Sequence, residues 1–137
     1  MLSYDNNIII LGGSKGIQLQ REIIRNILIK IKNLIAKGNY IFLGNRKKNF
    51  ETLLELGLKY SHVKQDILSL TPKEYSEGPL LDKDQINYKD EFFWIFGKNI
   101  QNKLIYIKLK IRKTSKYEEA VCMSFHIAEY QMKFPLR

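Results

Sequence analysis

The chain has 137 residues, 45% of them hydrophobic, with one cysteine and two histidines; this allows one packed domain but not two independent cores, a disulfide framework or a closed Cys/His zinc site. No apolar run reaches the roughly 18 residues a membrane span needs, and Met1-Leu2-Ser3-Tyr4-Asp5 lacks the basic stretch and apolar core of a signal peptide. A cytoplasmic protein with no membrane association and no disulfide-linked partner is therefore expected. The net charge of +9 is unevenly laid: nine basic residues and one acid from Asn6 to Phe50, nine acids and five lysines from Glu51 to Glu91, then seven basic residues and no acid from Phe92 to Tyr117. Such a run attracts polyanions, nucleic acid first among them, although a basic solvated surface has the same composition.

In chain order, Asn7 to Leu11 reads as a short strand or ordered tail closed by Gly12-Gly13, and residues 1–16 as an N-terminal extension ahead of a single domain over 17–137. Ile23, Ile24, Ile27, Leu28, Ile31, Leu34 and Ile35 recur at helical spacing and predict a helix from about Ile17 to Lys37, stopped by Gly38-Asn39. Tyr40 to Leu43 predicts a short strand. Asn49 to Leu56 predicts a helix burying Phe50, Leu53 and Leu54, and Ser61 an N-cap for a third helix reaching Leu70 before Pro72. Thr71 to Asp90, with two prolines, a glycine and many charges, reads as a long ordered loop or short turns.

The period then changes from helical to alternating. Phe92 to Lys98, Lys103 to Lys113 and Glu119 to Ile127 are β-branched and aromatic runs that predict an antiparallel meander. Helices followed by a meander give an α+β domain, with N-terminal helices packed on a three- to four-stranded antiparallel sheet.

Alternation sorts each strand onto two faces. A hairpin centred near Lys116 sets Tyr106 opposite His126 and Lys108 opposite Ser124. The polar face then carries Tyr106, Lys108, Lys110, Arg112, Ala120, Cys122, Ser124 and His126. The core face carries Ile105, Ile107, Leu109, Ile111, Val121, Met123, Phe125 and Ile127. A preceding hairpin centred between Ile100 and Gln101 sends Phe92, Trp94 and Phe96 to the core and Phe93, Ile95 and Gly97 to the polar face.

That polar face holds what metal-free RNA cleavage requires. A base removes the 2′-hydroxyl proton, an acid protonates the departing 5′-oxygen, and cations offset charge on the phosphoryl group. Histidine serves either proton role, tyrosine orients, donates or stacks, and lysine and arginine hold phosphate. The products are a 2′,3′-cyclic phosphate and a 5′-hydroxyl. Taken singly, a strand-end histidine, a lysine row and a cross-strand tyrosine also fit an ordinary sheet surface.

The segments Val63-Lys64-Gln65-Asp66-Ile67-Leu68-Ser69-Leu70, Glu74-Tyr75, Gly78-Pro79, Trp94-Ile95-Phe96-Gly97-Lys98, Ile105-Tyr106-Ile107-Lys108-Leu109 and Ser124-Phe125-His126-Ile127-Ala128-Glu129-Tyr130, in that order, resemble the MqsR-type toxins of bacterial toxin–antitoxin pairs. The likeness runs from about Ile23 to the C-terminus. It implies a RelE-like fold, ribosome-independent and sequence-selective mRNA cleavage, no cofactor or metal, and a cognate antitoxin as protein partner.

Carried over, Tyr106 and Lys108 match the tyrosine–x–lysine of the central strand. His126 stands where the founding member has a catalytic lysine after Ser-Phe. The founder's other active-site lysine falls at Glu77, and its glutamine after tryptophan at Ile95. The catalytic set is then His126, Tyr106, Lys108 and Glu77, and the RNA-binding set Lys98, Lys110, Arg112 and Tyr130.

Three further signals are read structurally. Gly12-Gly13-Ser14-Lys15-Gly16 lacks the full glycine spacing of a dinucleotide loop and the later βα units, so it reads as a turn into the first helix. Asp82, Asp84, Asp90 and Glu91 read as a solvated acidic loop, and Cys122 as a packing residue. Two other functions stay open: a non-catalytic RNA- or protein-binding module of the same fold, and a nucleotide-binding regulator using Gly12 to Gly16.

Overall fold

The computed structural model describes residues 13–83 and 91–137. Three helices, α1 (Gly13–Ala36), α2 (Lys47–Leu56) and α3 (Tyr60–Leu68), accompany five strands: β1 (Tyr40–Phe42), β2 (Tyr75–Leu81), β3 (Phe92–Ile100), β4 (Lys103–Lys113) and β5 (Glu118–Ile127). The strands form one sheet in the order β1-β5-β4-β3-β2. Pairing is antiparallel except between β1 and β5. The α+β class stands, but the sheet is five-stranded and mixed.

Helix α1 begins at Gly13, so the expected boundary at residue 17 falls inside it and Gly13 to Gly16 are its first turn. The strand expected over Asn7 to Leu11 lies outside the described residues. The predicted stop is present. Gly38 takes a left-handed φ of 84°, and the Gly38 and Asn39 amides donate to Ile35 and Leu34 carbonyls, the closure that frees a helix end of orphan acceptors. Ile24, Leu28, Ile31, Leu34 and Ile35 pack with Val63, Ile67 and Leu70 against Phe96, Ile105, Ile107, Leu109 and Phe125. Each such side chain contributes about 1.5–3 kcal/mol by leaving water.

Further expectations are corrected. Helix α3 is entered at Lys59 and not at the expected N-cap Ser61, and the Lys59 N–H donates to His62 Nδ1 at 2.8 Å. Residues 75–81 form strand β2 rather than a loop. β2 is an edge strand among the described residues, and an edge tolerates Pro79 because its missing N–H is not needed for an outer neighbour. The two register shifts against β3 fall on either side of Glu77, and glycine is required at 78, where a Cβ would stand 2.8 Å from the Phe93 carbonyl oxygen.

The β3–β4 turn is the two-residue Gln101-Asn102, with φ of 52° and 66°, one residue later than expected. Both residues at positive φ give a turn whose twist matches the flanking strands. The expected faces survive because the pairing parity is the same. Finally, α2 is rotated about its axis from the expected orientation. Asn49, Thr52 and Leu53 are buried, while Phe50 and Leu54 are 52% and 67% exposed.

The reason for that rotation lies on β5. The β4–β5 register holds from Ile105↔Ile127 to Lys108↔Ser124, then slips to Leu109↔Cys122, leaving Met123 as a bulge. Beyond the bulge the faces exchange, so Ala120 and Cys122 join the core and Val121 lies opposite Lys110. Strand β1 covers the outer edge of β5 only from Ala120 to Cys122. From there α2 covers it with polar side chains. Asn49 Nδ2 donates to Leu43 and Met123 carbonyls at 2.9 and 3.1 Å, and Asn49 Oδ1 accepts from the Phe125 N–H at 2.8 Å. Thr52 Oγ1 accepts from the Ile127 N–H at 3.1 Å. Buried strand-edge groups need such partners, and Phe50 and Leu54 have none to offer.

Candidate active site

The face of β3, β4 and β5 opposite the core brings Tyr106 and His126 into direct register. Their rings stack with centroids 5.1 Å apart and planes 18° from parallel. His126 Nδ1 lies 3.0 Å from the Ile127 carbonyl oxygen. A carbonyl only accepts, so Nδ1 carries the proton and Nε2 is left as the ring's basic nitrogen. The neighbouring row across the sheet runs Glu77, Ile95, Lys108, Ser124. Lys108 Nζ sits over the Phe93 ring, 4.0 Å from its centroid, a cation–π contact that holds the ammonium against the sheet. All four expected catalytic residues thus share one face.

Beside Tyr106 a cleft of about 830 Å³ is lined by Ser76, Glu77, Ile95, Tyr130, Lys133 and Phe134, among others. That size falls within the roughly 300–1,000 Å³ of small-ligand sites. Tyr130 is 74% exposed, leaving its ring face open to a base. Burial pushes the Tyr106 hydroxyl above its ordinary value, and the Glu77 carboxylate and Tyr130 push it the same way. Tyr106 therefore keeps its proton at neutral pH and is a donor there. On the other side of the stack, His126 lines a smaller cleft of about 270 Å³ with Lys48, Glu51, Thr52, Glu55 and Glu129. The Tyr106–His126 pair is the ridge between the two.

The structure does not bring the rest of the expected RNA-binding set to this site. Lys98 points to the helix side of the sheet, where its Nζ meets Asp66 Oδ1 at 3.0 Å and hydrogen-bonds Ser69. Lys110 is 2% exposed, 2.7 Å from Asp82 and 2.8 Å from Glu91. Arg112 pairs with Glu119 at 3.2 Å and stands six residues along β4 from Tyr106, roughly 20 Å at strand rise. The acid-free run of sequence is thus largely neutralised by acids from elsewhere in the chain. Asp82 and Glu91, expected in a solvated loop, are buried partners of Lys110; Asp84 and Asp90 lie outside the described residues.

No protein-family model, curated protein or solved structure matches the chain. Among the described residues no three His, Cys, Asp or Glu side chains converge as metal ligands would, and no helix is long and apolar enough to cross a membrane. Cys122 is fully buried, and burial raises its thiol well above the ordinary 9.0, which keeps it in the unreactive protonated form.

Sequence reasoning missed Lys133, Ser76 and Phe134. The chain after β5 has no period to read, but Gly97 carried a trace of it. A Cβ there would lie 2.7 Å from the Phe134 ring and 3.0 Å from Met132 Sδ, so the C-terminal segment crosses β3 at a residue without a side chain. An isolated strand glycine is the signature of such a crossing.

Proposed function

We propose that the protein is an endoribonuclease toxin that cuts single-stranded mRNA without a metal and is held in check by a cognate antitoxin in the cytoplasm. The observation that carries this reading is the Tyr106–His126 stack beside a cleft holding Glu77, with Lys108 in the next row of the sheet. Helices against one face of a sheet whose other face bears the polar set are compatible with the RelE-like fold of the MqsR-type toxins, which the segment likeness implies.

In the proposed reaction His126 Nε2 takes the proton of the 2′-hydroxyl as the 2′-oxygen bonds to the adjacent phosphorus. The bond from phosphorus to the 5′-oxygen breaks, its electron pair leaves with that oxygen, and Tyr106 supplies the proton. The imidazolium then returns its proton to the tyrosinate, through water or directly, and the pair is restored. The Nδ1–H bond to the Ile127 carbonyl steadies the charged ring. Lys108 and Lys133 offset phosphate charge, and Tyr130 stacks on a base while Glu77 serves as a second proton acceptor or reads the base edge.

The second reading is a binding module of the same fold without catalysis. The neutralisation of Lys98, Lys110 and Arg112, and Ile95 in the middle of the row, favour it. An RNA with a single 2′-deoxy substitution at a mapped cut separates the two. The proposed mechanism predicts that this one site becomes resistant while other sites are still cut. Cutting at the deoxy position would exclude 2′-hydroxyl attack, and binding with no cutting of any RNA would leave the module.

A further inference from the structure

We propose that Asn49 and Thr52 of α2 are positioning residues that hold His126 in register with Tyr106 and fix the tautomer it works in. This rests on the reading of His126 as the proton-transfer group. A β-bulge normally loosens a strand and frees the groups beside it, and the Met123 bulge lies only three residues before His126. Strand β1 has ended by then, so among the described residues β5 has no outer neighbour strand where the histidine sits. A strand end in that position frays unless something else binds its edge.

What binds it is a pair of buried polar side chains one helical turn apart. Asn49 reaches across the bulge, donating to the Met123 carbonyl and accepting from the Phe125 N–H, while a second donation ties it to Leu43. This pattern admits one amide orientation, since only the oxygen accepts and only the nitrogen donates. Thr52 takes the Ile127 N–H. The residues on either side of His126 are therefore clamped to α2, and His126 itself is paired to Tyr106 across β4. Thr52 fixes the peptide before Ile127, and the Ala128 N–H, donating to the Leu104 carbonyl at 2.8 Å, fixes the one after it. Held on both sides, the Ile127 carbonyl oxygen stays where Nδ1–H reaches it at 3.0 Å, and Nε2 remains the basic nitrogen on the ridge between the clefts. The side chains α2 turns inward are thus the ones His126 requires.

The test compares Thr52→Val, which keeps the shape and removes the acceptor, with Thr52→Ser, which restores it. Both are made in the full chain and checked for native circular dichroism. Two readouts are taken: kcat and KM on a single-stranded RNA oligonucleotide, and the imidazole ¹⁵N shifts of His126 in the free protein. For Thr52→Val the expectation is a roughly tenfold fall in kcat, with KM within twofold. The His126 shifts should move from a fixed Nδ1–H form towards a mixture of tautomers, and Thr52→Ser should return both to wild type. Asn49→Asp, which keeps the acceptor for Phe125 but loses both donations, should behave like Thr52→Val.

Unchanged His126 shifts in a folded Thr52→Val protein would overturn the proposal, whatever the activity. The same holds if Thr52→Ser fails to restore them. If the variants fail to fold, the wild-type shifts decide: a mixed tautomer there is equally fatal, and a fixed Nδ1–H form supports it. Because the shifts need no turnover, the positioning stands or falls separately from the ribonuclease reading, which fails if wild-type protein does not cut RNA.

Discussion

At the scale of single residues, the central pair divides its work by environment. Tyr106 is kept protonated by burial and by the nearby Glu77 carboxylate, whereas His126 has one ring nitrogen committed to a backbone carbonyl and the other free to accept. Tyr106→Phe keeps the stack and removes the proton. A lowering of kcat by about 10²–10⁴ is expected, the range for loss of a positioned acid, with little change in KM. The direction of the Tyr106 shift also sets the alkaline limb of the rate profile. A donor whose value is raised stays active through the ordinary tyrosine value of 10.0, so activity should not decline until the pH exceeds it. A limb well below 10 that vanishes in Tyr106→Phe would show that the raised value is wrong.

Among elements, α2 and the base of the β2–β3 connection carry the clearest consequences. Lys110 is held between Asp82 and Glu91 with almost no exposure, so Lys110→Met removes the cation that two buried carboxylates share. Loss of one partner from such a group costs about 3–5 kcal/mol, measurable as a lowered urea midpoint. Much of it should return when Asp82→Leu and Glu91→Leu are added. On α2, Leu53→Ala should cost about 2–5 kcal/mol as a core truncation. Leu54→Ser, one position on, should stay within about 0.5 kcal/mol because the side chain is exposed. Equal losses at 53 and 54 would mean the helix is rotated back to the apolar face the sequence favours.

That contrast shows what the sequence made legible. The alternation in β3, β4 and the end of β5 placed Tyr106 opposite His126 and Lys108 opposite Ser124, because side-chain parity is a local property. The Met123 bulge was not readable, since it depends on Asn49 and Thr52 some 70 residues away. The same dependence hid the buried face of α2, where hydrogen-bonding need outweighs apolar periodicity. Strand β2 was masked by Gly78-Pro79, residues that mark loops except on a sheet edge. Charge was legible as a total but not as a surface: Lys98, Lys110 and Arg112 read as a row until folding delivered Asp66, Asp82, Glu91 and Glu119 to them.

For the molecule as a whole, burial has raised the ordinary values of Tyr40, Tyr75, Tyr106 and Cys122. In each, the folded state holds its proton more tightly than the unfolded chain. Their contribution to stability is complete below the unfolded values of 9.0 and 10.0 and is lost as the pH rises through the folded ones. The urea midpoint should therefore fall steadily above pH 9, and a midpoint flat from pH 8 to 11 would contradict the burial of these groups. Charge acts at this scale too. The net +9 attracts a polyanion electrostatically, and under the proposed function the ridge of Tyr106 and His126 decides what happens once it arrives.

The most direct measurement is cleavage of a long single-stranded RNA by the purified protein in EDTA, beside His126→Ala, with both new ends mapped. The account predicts cuts at a short recurring sequence, a 2′,3′-cyclic phosphate on one side and a 5′-hydroxyl on the other, and loss of cutting in the folded variant. No cutting by folded wild-type protein, in EDTA or after ribosomes and then divalent metal are added back, would contradict it; so would cutting that His126→Ala leaves intact.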